Sequence, residues 1–229
     1  MDGILVLDKP VGITSARAVG QVKRLLPRGT KIGHAGTLDP FATGVLLLLI
    51  GKSTKLCEKL MDEPKQYVTT VKLGATSASD DPESPEKPRQ ISAPPGQDSV
   101  DDALKTFTGS IQQRPPIFSA MKIKGRRAYD LARAGRVVEL PPRTVQVYAI
   151  ERLSYAWPFL SLRIDCGRGT YIRAIARDLG EALAVGGYLT ELRRTRVGPF
   201  GVDDAVTLEQ AAQVGVGDLL KQYPIRKLM

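Results

Sequence analysis

The sequence predicts an α+β fold in a single domain, and three observations carry that reading. Strand-like and helical segments follow one another without strict β-α-β alternation, which favours a mixed or antiparallel sheet. The strand patterns are of two kinds: apolar runs such as Leu46 to Ile50, and alternations such as Tyr67 to Leu73. No second hydrophobic core follows the last strand pattern, so residues 1–229 read as one unit.

The elements follow in chain order. Gly3 to Leu7 is a short buried strand, and LDKPVGITS after it is a turn in which Thr14 or Ser15 can cap a helix. Val19, Val22, Leu25 and Leu26 mark one face of that helix, which Pro27 and Gly29 end. Leu46 to Ile50 is a fully buried strand, and Ser53 to Met61 a helix with Leu56, Cys57 and Leu60 inward. Tyr67, Thr69, Val71 and Leu73 alternate with Val68, Thr70 and Lys72 as a strand. Ala75 to Asp98, rich in Ser, Asp, Pro and Glu, reads as an exposed, mobile connection. Ser99-x-x-Asp102 opens a helix carrying Val100, Ala103, Leu104 and Phe107. Arg126 to Ala134 is a short helix closed by Gly135. Thr144 to Tyr155 and Phe159 to Cys166 are strands on either side of Trp157-Pro158. Thr170 to Ala184 is the clearest helix, with Ile172, Ile175, Ala176, Leu179 and Leu183 on one face. Tyr188 to Val197 is a last strand and Thr207 to Val214 a closing helix.

Composition narrows the function. The chain is 42% hydrophobic and 25% charged, as a soluble globular protein would be. Its longest apolar run, Val45 to Ile50, is too short to span a bilayer, and Asp8 and Lys9 follow the start too closely for a signal peptide. Two cysteines, Cys57 and Cys166, fit free thiols in a cytosolic protein better than a disulfide framework. A net charge of +9 points to a polyanion, nucleic acid before membrane. The single histidine, His34, leaves neither a zinc ligand set nor a Ser-His-Asp triad with a G-x-S-x-G nucleophile. Neither G-x-x-x-x-G-K-[ST] nor G-x-G-x-x-G after a strand occurs. ATP-driven, hydride-transfer and zinc chemistry are therefore disfavoured.

Two constellations can carry chemistry. In GHAGTLDPFATGV, Gly33 to Val45, His34 and Asp39 lie in a Gly- and Pro-rich turn directly before an apolar strand. A carboxylate there can serve as nucleophile or general base, although an Asp in such a turn often just caps its own backbone. Thr170, Tyr171 and Arg173 open a helix, where Arg173 can hold a buried carboxylate and Tyr171 can offer a flat ring and a phenol. Read alone, Tyr171 is equally a core residue and Arg173 a solvated one. Tyr67 can stack on a base or simply cover core. Lys122, Lys124, Arg126, Arg127, Arg193, Arg194 and Arg196 can line a phosphate-binding surface or a solvated face. Lys9-Pro10 is suggestive in conformation only.

Together these segments resemble one family. LDKPVGITS, GHAGTLDPFATGVL, KQYVTTVKLG, RPPIFSAMKIKGRRAYDLARAG, the GTYIR helix start and LRRTRVGPF occur in the order of the bacterial tRNA pseudouridine-55 synthases, the TruB family. The likeness runs from about Gly3 to Leu220. It implies a pseudouridine synthase fold: a long mixed, mainly antiparallel sheet with flanking helices and a central RNA-binding cleft. It also implies a thumb-like RNA-binding insertion at about residues 112–140, and isomerisation of uridine 55 in the T-loop of tRNA. A monomer acting in the cytoplasm, without cofactor, metal or membrane, is implied as well. So is a second, tRNA-folding role.

Residue by residue, the resemblance makes Asp39 the essential aspartate and Arg173 the arginine that pairs with it. It makes Tyr171 the active-site tyrosine, Tyr67 the tyrosine that stacks on uracil and Leu192 the apolar residue closing the base pocket. His34 becomes the histidine that fills the place of the extruded base. Lys9 is grouped with the substrate-binding residues. A uridine inside a folded loop must be flipped out at a cost of about a few kcal/mol. Stacking on Tyr67 returns about 1–3 kcal/mol. An arginine partner would hold Asp39 ionised despite burial. Two departures stand out. The PUA domain usual after this core is missing by Met229, and GATSASDDPESPEKP replaces a more regular T-D-T-x-D-like turn, which reads as loop variation. The alternatives are a guide-dependent pseudouridylase and a non-catalytic RNA-binding module.

Overall fold

The computed structural model describes residues 1–118, 122–123, 126–127 and 140–223. Its strands form a mixed, mainly antiparallel sheet flanked by helices. The chain divides into two compact units, residues 1–68 with 192–229 and residues 69–191. No helix among the described residues is long and apolar enough to cross a membrane.

The first unit is built on β1 (Gly3–Lys9) and β3 (Thr43–Ile50), antiparallel from Gly3 opposite Ile50 to Lys9 opposite Gly44. β2 (Ile32–His34) pairs with the far end of β3, placing His34 opposite Leu48. Ile4, Val6, Val45, Leu47 and Leu49 pack on Leu60, Val197 and Phe200. The alternate residues Leu5, Leu7, Leu46, Leu48 and Ile50 are also fully buried. Both faces of these strands are covered, so the sequence shows unbroken apolar runs rather than alternation.

Helix α1 (Ser15–Lys23) follows β1, and Thr14 caps it by accepting from the Arg17 amide. Its inward residues are Ser15, Ala18 and Val22. Leu25, expected on that face, is 42% exposed, because the helix ends at Lys23 and the chain turns before reaching it. The helix expected over Ser53 to Met61 is a 3₁₀ segment, Gly51–Leu56, running into α2 (Cys57–Asp62).

The unit boundaries fall within β4 (Lys65–Leu73) and, further along, within β12 (Gly187–Val197). β4 alternates as expected, with Lys65, Tyr67, Thr69, Val71 and Leu73 buried. In the second unit the connection after β4 departs from expectation. It holds a hairpin of β5 (Ala75–Ser77) and β6 (Glu86–Pro88), and Ser77, Ser79 and Asp81 are buried within it. Helix α3 (Gln97–Lys105) starts after Gly96, before the expected Ser99.

β7 (Gly109–Gln113) comes next, followed by the short ladder of β8 (Lys122–Ile123) with β9 (Arg126–Arg127). Arg126 and Arg127, expected to begin a helix, pair as a strand instead; the remainder of that expected helix, and Gly135, lie outside the described residues. β10 (Arg143–Ala156) pairs with β7 and with β11 (Phe159–Cys166). Helix α4 (Ile172–Ala182) starts after Tyr171 rather than at the expected Thr170.

β12 returns the chain to the first unit and runs parallel to β3, with Arg193 opposite Thr43 and Arg194 opposite Gly44. β13 (Phe200–Gly201) and helix α5 (Leu208–Val214), with its Thr207/Gln210 capping box, complete that unit.

Lys9, Gly44 and Arg194 thus lie in one row across β1, β3 and β12. Gly44 has φ +98, and a Cβ there would stand 2.2 Å from the Arg194 carbonyl oxygen. Gly44→Ala combines left-handed strain with a backbone clash. It is expected to cost about 3 kcal/mol or more, seen as a melting temperature lower by about 6–12 °C.

Candidate active site

The loop holding Asp39 is fixed by groups that the sequence lists as charges. Arg194 is 1% exposed. Its Nε donates to Val45 O at 2.7 Å, Nη2 to Gly36 O at 3.1 Å and Nη1 to Thr37 O at 3.4 Å. Lys9 is 0% exposed, and its ammonium donates to Pro10 O at 2.8 Å, Ile13 O at 2.9 Å and Pro40 O at 3.3 Å. Ser15 Oγ donates to Leu38 O at 3.0 Å and accepts from Leu38 N at 2.8 Å. The Ala42 amide donates to Asp39 O at 3.1 Å and that of Gly12 to Pro40 O at 2.8 Å. Every carbonyl from Gly36 to Pro40 is therefore occupied. The backbone under Asp39 has few ways to move, while its side chain remains half-buried.

This corrects two expectations. Arg194 is not available to phosphate, since its guanidinium faces inward onto loop carbonyls. The Lys9 ammonium is likewise turned to the backbone rather than outward to a substrate. Only Arg193 and Arg196 of that basic run reach the surface. Arg193 makes a two-pronged pair with Asp8, at 3.0 and 2.7 Å.

His34 ends β2, with its carbonyl 3.6 Å from Cys57 Sγ. Burial, and then the Arg194 guanidinium, lower the imidazole pKa, with a backbone contact at Gly36 opposing them. The ring is therefore neutral near pH 7, and its buried Nδ1 has no hydrogen-bond partner among the described residues. Tyr67 and Leu192 are buried on β4 and β12. The first unit therefore gathers Lys9, His34, Asp39, Tyr67, Leu192, Arg193 and Arg194.

Tyr171 and Arg173 belong to the second unit. The Gln113 side chain brackets the Tyr171 backbone, donating to its carbonyl at 3.0 Å and accepting from its amide at 2.8 Å. The Arg143 guanidinium lies 4.8 Å over the tyrosine ring. Arg173 is buried and donates through Nη1 to Asp81 Oδ2 at 2.9 Å and Ser79 O at 3.0 Å, and through Nη2 to Phe118 O at 2.8 Å. Asp81 Oδ1 accepts from Ser79 Oγ at 2.5 Å and the Glu83 amide at 2.9 Å. This carboxylate was missed because its segment reads as a solvated loop. The signal was available: two serines and an aspartate at alternate positions directly after a strand.

Beside it, Asp80 adopts φ +58 and meets Arg177 at 3.0 Å. Burial pushes the Asp80 carboxyl up to about 6, with Arg177 and then Arg173 opposing.

Lys124 lies outside the described residues, and Lys122, Arg126 and Arg127 are described through their strands only. Among the described residues, no group of three His, Cys, Asp or Glu is arranged to hold a metal ion.

Residues 23–172 match the family model "TruB family pseudouridylate synthase (N terminal domain)". Residues 173–222 match "tRNA pseudouridylate synthase B C-terminal domain". The tRNA pseudouridine synthase B of Aromatoleum aromaticum is 47% identical over 211 residues, covering 91% of this chain and 67% of that protein. That of Bacteroides fragilis is 47% identical over 208 residues, 89% of each. Among solved structures, a chain in the crystal structure of a Cbf5-Nop10-Gar1 complex superposes with a TM-score of 0.71 at 31% identity, covering 95% of this chain and 57% of that one. The chain belongs to the TruB family and has the pseudouridine synthase fold.

Two outcomes follow from the second unit. Asp81→Ala withdraws the carboxylate facing the buried Arg173 and is expected to cost about 3–5 kcal/mol in urea unfolding. Asp80 binds its proton more tightly folded than unfolded. Its contribution to stability should therefore fall as pH rises from about 4 to about 6, by about 3 kcal/mol, and then level off. Asp80→Asn should flatten the stability profile across that window.

Proposed function

We propose that this member of the TruB family isomerises uridine 55 in the T-loop of tRNA to pseudouridine. The observation that carries the reading is the clamped loop. A carboxylate is held half-exposed on backbone whose carbonyls are all engaged, which is how a reacting group is pre-positioned. Identity of 47% to named tRNA pseudouridine synthases, against 31% to the Cbf5 chain, supports tRNA as substrate rather than the guide-dependent alternative.

The isomerisation breaks the C1′–N1 bond and forms C1′–C5. The C5 hydrogen leaves to solvent and N1 gains a proton, so the change needs no redox partner. Asp39 is the residue assigned to this step, as nucleophile at C1′ or C6 or as stabiliser of a glycal route. Tyr171 and Arg173 are assigned with it as catalytic. Arg173 arrives already ordered, because Asp81, Ser79 and Phe118 fix its fork. Tyr171 is ordered by Gln113 and Arg143. A base removed from its stack loses about a few kcal/mol, and the buried Tyr67 ring can return part of it. Leu192 supplies apolar cover, and neutral His34 can stack in the vacated position without adding charge. The T-arm as the recognised part of tRNA, a monomeric state and a cytoplasmic location complete the proposal.

The test is release of tritium from tRNA transcript labelled at uridine C5. Wild type should release it, and substitution of position 55 by cytidine should abolish release. Asp39→Ala should lower the rate about 10⁴-fold or more, the size expected when a reacting group is removed, while tRNA binding persists. Tight binding by wild type without release would overturn the reading and leave the two alternatives.

A further inference from the structure

The first unit contains a second feature that Asp39 does not explain. Beyond the far end of β3 lies an open cavity of about 510 Å³ with two basic walls. Arg28 and Lys31 come from the segment between α1 and β2, and Lys52 and Lys55 from the turn after β3. The walls are joined where the Gly51 amide donates to Lys31 O at 2.8 Å. Thr30 Oγ1 braces one wall on Pro27 O at 2.7 Å, and Thr54 Oγ1 braces the other on Gly51 O at 2.8 Å. The single lining carboxylate, Asp2, is engaged with Lys52 through the backbone amide at 2.7 Å and the ammonium at 4.0 Å. Arg28, Lys31 and Lys55 form no ion pair among the described residues.

Like charges held together in a concavity repel one another, and the same arrangement focuses positive potential on whatever enters. β3 is eight residues long, which at about 3.3 Å per residue sets the cavity roughly 25 Å from the Asp39 loop. A nucleotide held at Asp39 cannot reach it, whereas another part of the same folded RNA can. A lipid surface would call for projecting apolar side chains, and the walls offer only Met1.

We propose that this cavity is a second RNA-binding subsite, at which Arg28, Lys31 and Lys55 neutralise backbone phosphates of the tRNA whose uridine is modified. The proposal rests on the RNA-modifying role above. It explains how affinity is supplied by contacts that take no part in the chemistry.

The test compares wild type with the triple variant Arg28→Gln, Lys31→Gln, Lys55→Gln and with a charge-keeping control, Arg28→Lys, Lys31→Arg, Lys55→Arg. Kd for unmodified tRNA is measured from low to high salt, and all three proteins are checked for unchanged melting. The triple variant should bind at least about 10-fold more weakly at 150 mM salt, with the slope of log K against log salt reduced by about 2. Its turnover at saturating tRNA should be unchanged, and the control should match wild type. Unaltered Kd and slope would overturn the proposal, as would a loss confined to binding of phosphatidylserine vesicles. If wild type binds tRNA with this salt dependence but releases no tritium, the enzymatic reading fails and the subsite stands.

Discussion

The first unit depends on two buried cations whose hydrogen bonds go to backbone. Lys9 and Arg194 flank Gly44 across three strands, and their donors run out to the carbonyls at both ends of the Asp39 loop. Burying a charge is expensive unless its donors are satisfied, so the arrangement is stable only when loop and strands are correctly registered. A one-residue slip of β12 against β3 would turn Arg194 to the other face and leave the loop carbonyls unmet. Gly44 is required between the two cations because any side chain there would meet the Arg194 backbone.

The second unit solves a similar problem with a carboxylate. Arg173 sits at the start of α4 with a fixed fork, and Asp81 meets it from a segment tied down by Ser77 and Ser79. The Asp81 carboxylate accepts from Arg173, a serine and a backbone amide, which satisfies most of its lone pairs. Removing one partner of such a pair is costly, because it leaves the other charge buried and uncompensated.

Much of the framework was legible in the sequence because packing leaves a period. β4 and the apolar strands β1 and β3 were readable in this way, as was a cap at Thr14 or Ser15. Asp39, Tyr67, Tyr171 and Arg173 were singled out from residue type and turn context, and the family resemblance supplied their roles. What was not legible has a common cause. A lysine or arginine in a basic run looks like surface, and its burial against carbonyls leaves no mark, since every residue carries a carbonyl. Arg194 was misjudged for that reason. The Ala75 to Asp98 segment was misjudged because short polar residues bury as readily as they solvate when they bond to one another. Leu25 looked like core because periodicity does not reveal where a helix stops.

The anchors at the root of the segment after β7 differ in kind from those of Asp81. Arg177 holds the carbonyl of Arg114, Arg173 holds that of Phe118, and Gln113 holds the backbone of Tyr171. At Arg114 and Phe118 the attachment is to main chain, which any amino acid provides. These contacts fix the residue type on one side only, at Gln113, Arg173 and Arg177. Homologues should keep an amide at 113.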